Sequence, residues 1–173
     1  MKLLRLLAII IILYTIIRHA TFSRRAIIPP QKKAVTHKIL IKRVDTRIVQ
    51  LQSFLDRKKS PLVGATPDFL RFADAYNLDW RLLPAIAGVE SGFEKAGNLY
   101  DYNAWGYMCS NGPCVFSSYS EAIERVARTI AQGSYYRSFR TSGNLYDLAL
   151  VYNQVNPEDW ASKVRYFENQ LSN

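Results

Sequence analysis

Six times along this chain apolar residues recur three and four positions apart, the spacing that draws one buried stripe on an α-helix. Ile41, Val44, Ile48, Leu51 and Leu55 form the first stripe, and Phe69, Phe72, Ala73 and Tyr76 the second. Leu82, Ile86, Val89 and Phe93 form the third, followed by Ile123, Val126, Ala127 and Ile130. Leu145, Leu148, Ala149 and Tyr152 come next, and Trp160, Val164, Phe167 and Leu171 end the series. A mostly α fold is the expectation. The punctuation agrees: Thr66-Pro67-Asp68 reads as a cap with proline at the first helical position, and Asn77 as a stop. Asp79 caps the third helix, Pro84 tightens or kinks its start, and Gly92 suits its far end. Ser118-x-x-Glu121 forms a capping box, and Asn156-Pro157-Glu158-Asp159 starts the last helix with two acids at the positive end of its dipole.

The helical pattern breaks once, between Asn98 and Ser117. Tyrosines and Trp105 gather there, and an Asn111-Gly112-Pro113 turn lies between Tyr107-Met108 and Val115-Phe116, which predicts one small β-hairpin. The only two cysteines, Cys109 and Cys114, face each other across that turn. In an exported domain such a pair forms a disulfide; free thiols are the alternative, and a metal site would need further ligands. No metal and no cofactor is implied.

A net charge of +9 suggests nucleic acid until it is divided. The first 60 residues hold 14 Lys and Arg against Asp45 and Asp56 and carry +12, whereas the rest hold 9 against 12 acids and carry −3. A basic arm therefore precedes a slightly acidic domain, and the partner expected for the arm is a membrane, not nucleic acid. Residues 3–17 form a mostly apolar run that is uncharged from Leu6 to Ile17, with Lys2 and Arg5 at its start and Arg18 at its end. At ~1.5 Å per residue it measures roughly 22 Å against a hydrocarbon core of ~30 Å, and flanking basic side chains can snorkel to extend it. Residues after Arg18 offer no A-x-A cleavage site, so residues 1–19 read as a single-pass signal-anchor or transmembrane helix in the cytoplasmic membrane. Secretion after signal cleavage is the alternative. Residues 20–38, with Pro29-Pro30 and Lys32-Lys33, form a basic linker, and 39–173 the domain, comprising a docking helix over 39–59 and a core over 60–173.

His19 and His37 both lie in the arm, so the domain contains no histidine. Nucleophile schemes that need a His base are excluded, and carboxylates remain. Glu90 is the best placed, beside an apolar stripe at a helix C-terminus, where desolvation and the negative end of the dipole both favour its neutral form. A carboxyl that keeps its proton near neutrality can protonate a glycosidic oxygen. Glu94 and Asp101 are the candidates for a second carboxylate.

The run Leu83-Pro84-Ala85-Ile86-Ala87-Gly88-Val89-Glu90-Ser91-Gly92-Phe93 is followed by Tyr102-Asn103-Ala104-Trp105-Gly106-Tyr107 and by Phe116-Ser117-Ser118-Tyr119-Ser120-Glu121-Ala122-Ile123. Tyr152-Asn153 and Trp160-Ala161-Ser162-Lys163-Val164 complete the order. In this order they resemble the lysozyme-like superfamily, and within it the glucosaminidase-type and lytic-transglycosylase-type domains that cut peptidoglycan. The resemblance spans Leu51 to Leu171. It implies a mostly α, α+β lysozyme-like fold with Glu90 as general acid and Ser91 beside it. It further implies Asn103, Trp105, Gly106 and Tyr107 along the cleft, with Tyr152 and Asn153 near the carboxyl. Aromatic faces and amides suit the rings and hydroxyls of a glycan strand, whereas Tyr135, Tyr136 and Trp160 read as core packing. The expected activity is cleavage of β-1,4 bonds in peptidoglycan glycan strands outside the cytoplasmic membrane. A catalytically inactive wall-binding or scaffold protein of the same fold is the alternative.

Overall fold

A computed structural model describes residues 45–95 and 101–172. The apolar segment 3–17, the linker 20–38 and the start of the docking helix lie outside these residues. Among the described residues no helix is long and apolar enough to cross a membrane, and 68% of them are helical, with one two-stranded sheet.

Helix α1 runs over Thr46–Arg57, where Asp45 accepts the Arg47 amide as its cap. Leu51, Phe54 and Leu55 are its buried face. The described part of the stripe, Ile48, Leu51 and Leu55, therefore packs on the domain, and Ile41 and Val44 lie outside the described residues. On the other side Arg47 bridges Asp45 and Asp74 at 2.6 and 2.7 Å, tying α1 to the next α-helix. A 3₁₀ turn, Pro61–Ala65, leads straight into α2, Thr66–Tyr76. Thr66 is not the cap expected of it. The preceding turn already carries the chain into helical geometry, so Thr66 stands inside the helix and its hydroxyl donates back to the Val63 carbonyl at 2.7 Å. Asn77 ends α2 in the left-handed conformation, φ 54°.

Helix α3, Leu82–Ser91, is the centre of the domain, with every residue from Leu82 to Gly88 buried. Asp79 caps the turn before it, accepting the Arg81 amide at 2.9 Å. Pro84 falls within the first helical turn, where its missing N–H leaves no hydrogen bond unmade. Phe93 is not part of the helix; Gly92, Phe93 and Glu94 take φ of 61°, 64° and 65° in succession. The Phe93 amide donates back to Ala87 at 3.0 Å, and the buried Ser60 hydroxyl donates to the Phe93 carbonyl at 2.8 Å. This reversal turns the Phe93 ring back beneath α3. A Cβ at Gly88 would lie 2.6 Å from Phe93 Cζ, so the close approach requires glycine there.

Strands β1, Met108–Cys109, and β2, Gly112–Pro113, pair antiparallel with Cys109 opposite Gly112, so the turn is Ser110-Asn111 and not the expected Asn111-Gly112-Pro113. Pro113 is tolerated in β2 because a two-stranded ribbon has edges where its missing N–H costs nothing, and Cys109 and Cys114 are disulfide-bonded. Helix α4, Tyr119–Gln132, is capped by Ser118, whose hydroxyl accepts the Glu121 amide at 3.2 Å. A 3₁₀ turn, Ser134–Tyr136, precedes α5, Arg137–Ser142, then α6, Leu145–Tyr152, and α7, Pro157–Leu171. Helix α7 packs against both α3 and α6. That double contact brings the end of α6 and the start of α7 to the end of α3.

Candidate active site

Glu90 stands in the last turn of α3 and remains exposed to solvent. Its two oxygens have different surroundings. Oε1 accepts a hydrogen bond from the Trp160 indole N–H at 2.7 Å. Oε2 faces Gly106, where a Cβ would come within 3.3 Å of it. Gly106 also has φ 59°, so glycine answers two demands at that position. Protein atoms packed round the carboxyl raise its pKa above the ordinary glutamate value, and the Trp160 N–H pulls in the opposite direction. No other acid contributes to the rise.

Tyr152 ends α6 with its ring stacked on Trp160, centroids 5.0 Å apart and planes at 20°. Burial holds its hydroxyl well above the usual tyrosine range, with Tyr136, Glu90 and Tyr107 adding to the effect. Beside these residues lies a groove of about 370 Å³ lined by Gly106, Tyr107, Met108, Thr129, Tyr135, Tyr136, Val151 and Tyr152. Its lining carries no charged side chain; it presents tyrosine rings and hydroxyls, the Thr129 hydroxyl, and the apolar side chains of Met108 and Val151. The Tyr107 hydroxyl is held by Thr129 at 2.9 Å.

Four residues expected along the cleft or near the carboxyl have their polar groups engaged elsewhere. Trp105 is fully buried, packs on Phe69 at 5.9 Å and donates its N–H to the Leu83 carbonyl at 3.0 Å, so it offers no face to a ligand. Asn103 spends its amide on the loop, donating to the carbonyls of Tyr107 and Cys114 at 2.9 and 3.0 Å and accepting the Tyr107 amide at 2.8 Å. Ser91 is buried; its hydroxyl lies 3.0 and 2.9 Å from the Ala87 and Ala104 carbonyls and accepts the Glu94 amide at 2.8 Å. Asn153 accepts the Asn156 amide at 3.1 Å and holds the turn between α6 and α7. Asn103, Trp105 and Ser91 hold the loop that carries Gly106 and Tyr107, and Asn153 holds the turn that leads into α7 and Trp160.

Neither candidate for the second carboxylate reaches the groove lining. Glu94 is fully buried, and its pKa is pushed up to about 7 by desolvation first and the Asp101 charge second. Asp101 accepts the Asn103 amide at 3.0 Å. Among the described residues no cluster of three or more His, Cys, Asp or Glu side chains is placed to hold a metal ion.

Tyr135, Tyr136 and Trp160 read as core packing from sequence; Tyr136 is buried as expected yet also lines the groove, and the other two belong to the site. Tyr135 is 83% exposed on the groove wall. Trp160 is indeed buried, at 2%, yet its one polar atom is the donor to Glu90. A stripe position reports which face is apolar, not where an indole N–H points. No family model, curated protein or solved structure matches this chain.

Proposed function

We propose that this protein is a membrane-tethered peptidoglycan hydrolase that cleaves β-1,4 glycosidic bonds of the glycan strand with Glu90 as general acid. The observation that carries the reading is a single accessible carboxyl with a raised pKa beside an uncharged, tyrosine-lined groove. Aromatic faces and hydroxyls suit sugar rings, and a protonated carboxyl suits a leaving glycosidic oxygen. The resemblance of the Glu90-Ser91-Gly92-Phe93 and Tyr152-Asn153 motifs to glucosaminidase-type and lytic-transglycosylase-type domains supports the same assignment.

Glu94 is sealed in the core and no other acid perturbs Glu90, which favours a scheme with one protein carboxylate. Glu90 gives its proton to the glycosidic oxygen as the bond from that oxygen to C1 breaks. The substrate's own N-acetyl oxygen or C6 hydroxyl then bonds to C1. In the second case the Glu90 carboxylate takes the C6 hydroxyl proton and a 1,6-anhydro end results; in the first it activates the water that completes hydrolysis. Residues 3–17 hold the enzyme at the outer face of the cytoplasmic membrane.

Mass spectrometry of fragments released from purified wall by the full chain in detergent tests this. Soluble muropeptides are expected from the unmodified protein, with anhydro or reducing ends naming the route. Glu90→Gln should lower their yield at least about 100-fold while the fold is retained. Equal yield from the variant removes Glu90 from its role, and sedimentation with wall without any fragments from either protein replaces catalysis with binding.

A further inference from the structure

The two oxygens of Glu90 are not equivalent, and the difference is set by a group that can only donate. An indole N–H has no lone pair to offer, so the oxygen it meets must act as acceptor in both protonation states of the acid. In the neutral carboxyl the carbonyl oxygen is the better acceptor. Oε1, 2.7 Å from Trp160 Nε1, therefore takes the carbonyl role and the O–H falls on Oε2, the oxygen beside Gly106. Gly106 and Tyr152 both line the groove.

Resting on the reading of Glu90 as the acid, we propose that Trp160 is the positioning residue that keeps the transferable proton on Oε2, directed past Gly106 toward the groove. Trp160 suits this work because it cannot turn away. It is 2% exposed, and its ring is stacked on Tyr152. After transfer the same N–H stabilises the carboxylate left behind, which counteracts the desolvation that raises the acid. The charged and titratable groups around the pair do not compete. Asp159 and Lys163, on the same helix as Trp160, pair with each other at 2.6 Å. The Tyr152 hydroxyl, from α6, is held neutral, with Tyr136 and Tyr107 behind it.

The test needs no substrate in its first arm. In the full chain in detergent micelles, with ¹⁵N-indole tryptophan and ¹³C-carboxyl glutamate, the Trp160 Nε1–H resonance should titrate with the same midpoint as the Glu90 carboxyl. Glu90→Gln should abolish that titration. Trp160→Phe, which keeps an aromatic ring but no donor, should raise the Glu90 midpoint by about half to one pH unit and move the alkaline limb of kcat/KM upward by the same amount. An indole resonance that ignores Glu90's ionisation overturns the proposal, as does an unchanged or lowered midpoint in Trp160→Phe. The first measurement uses the unmodified protein, so misfolding of the variant does not remove the test. Coupled resonances in a protein that releases no glycan fragments uphold the pairing and sink the glycosidase reading instead.

Discussion

Both carboxylate oxygens of Glu94 are buried without a hydrogen-bond partner among the described residues, at the end of three successive left-handed residues. Desolvation lifts its pKa from 4.5 to about 7, so the folded protein binds a proton here that the unfolded chain has released. Between those values the native state holds more protons than the unfolded one, and stability falls as pH rises, levelling above about 7. Glu94→Gln removes this cost. Thermal or chemical unfolding should show a shallower decline between pH 5 and 7 and a gain of roughly 1–3 kcal/mol at pH 8. A variant less stable than the parent at pH 8 would contradict the account. The slope that survives belongs to Glu90 and Glu168, whose pKa values burial also raises. Nothing in the letters around Glu94 distinguishes it from a surface acid, because its burial comes from the chain reversal after Gly92.

At the scale of elements, α3 depends on how closely α7 and the reversed Phe93 can approach it. Phe93 makes edge contacts with Phe54 of α1 at 5.3 Å and with Phe167 of α7 at 4.9 Å, and Gly88 supplies the flat surface against which its ring lies. Gly88→Ala would gain up to about 1 kcal/mol of helix propensity and lose ~1–3 kcal/mol to overpacking. The Phe93 ring is gripped on two sides and cannot retreat, so overpacking wins. A net loss of about 1–2 kcal/mol is expected in denaturant titration; equal or greater stability would show that the ring yields. Most elements were legible as stripes, since burial of one helical face needs apolar residues at that spacing. Helix α1, the caps at Ser118 and Asn156, and the left-handed ends at Asn77 and Gly92 all followed from residue type. The first turn of α2 did not, because a 3₁₀ turn ahead of it displaced the cap. Phe93 sat on the stripe of α3 but outside its helix, since the apolar spacing continues through a reversal that the glycine makes possible.

For the whole molecule, the division of charge separates a basic arm from an acidic, histidine-free domain. If residues 1–19 anchor the chain, the full-length protein should remain in the membrane fraction after alkaline carbonate extraction, and a chain lacking residues 1–38 should be soluble. Release of the full-length protein as a shortened soluble chain would instead establish signal cleavage. The sequence by itself determined the helical character and the presence of a hairpin with its cysteine pair, and it singled out Glu90 as a candidate, because periodicity, residue type and the absence of histidine are local properties; the hairpin's register was not among them, since Gly112 and Pro113 read as turn and stand in β2. Only the tertiary structure decided which aromatic residues face the groove. Trp105 went to the core and Tyr135 to the surface, while Trp160 did both jobs, packing its ring and directing its N–H to a carboxylate 70 positions away. The physical reason is that a stripe specifies a face, whereas a site is made where faces of several helices end together, and those ends meet only when α3, α6 and α7 pack.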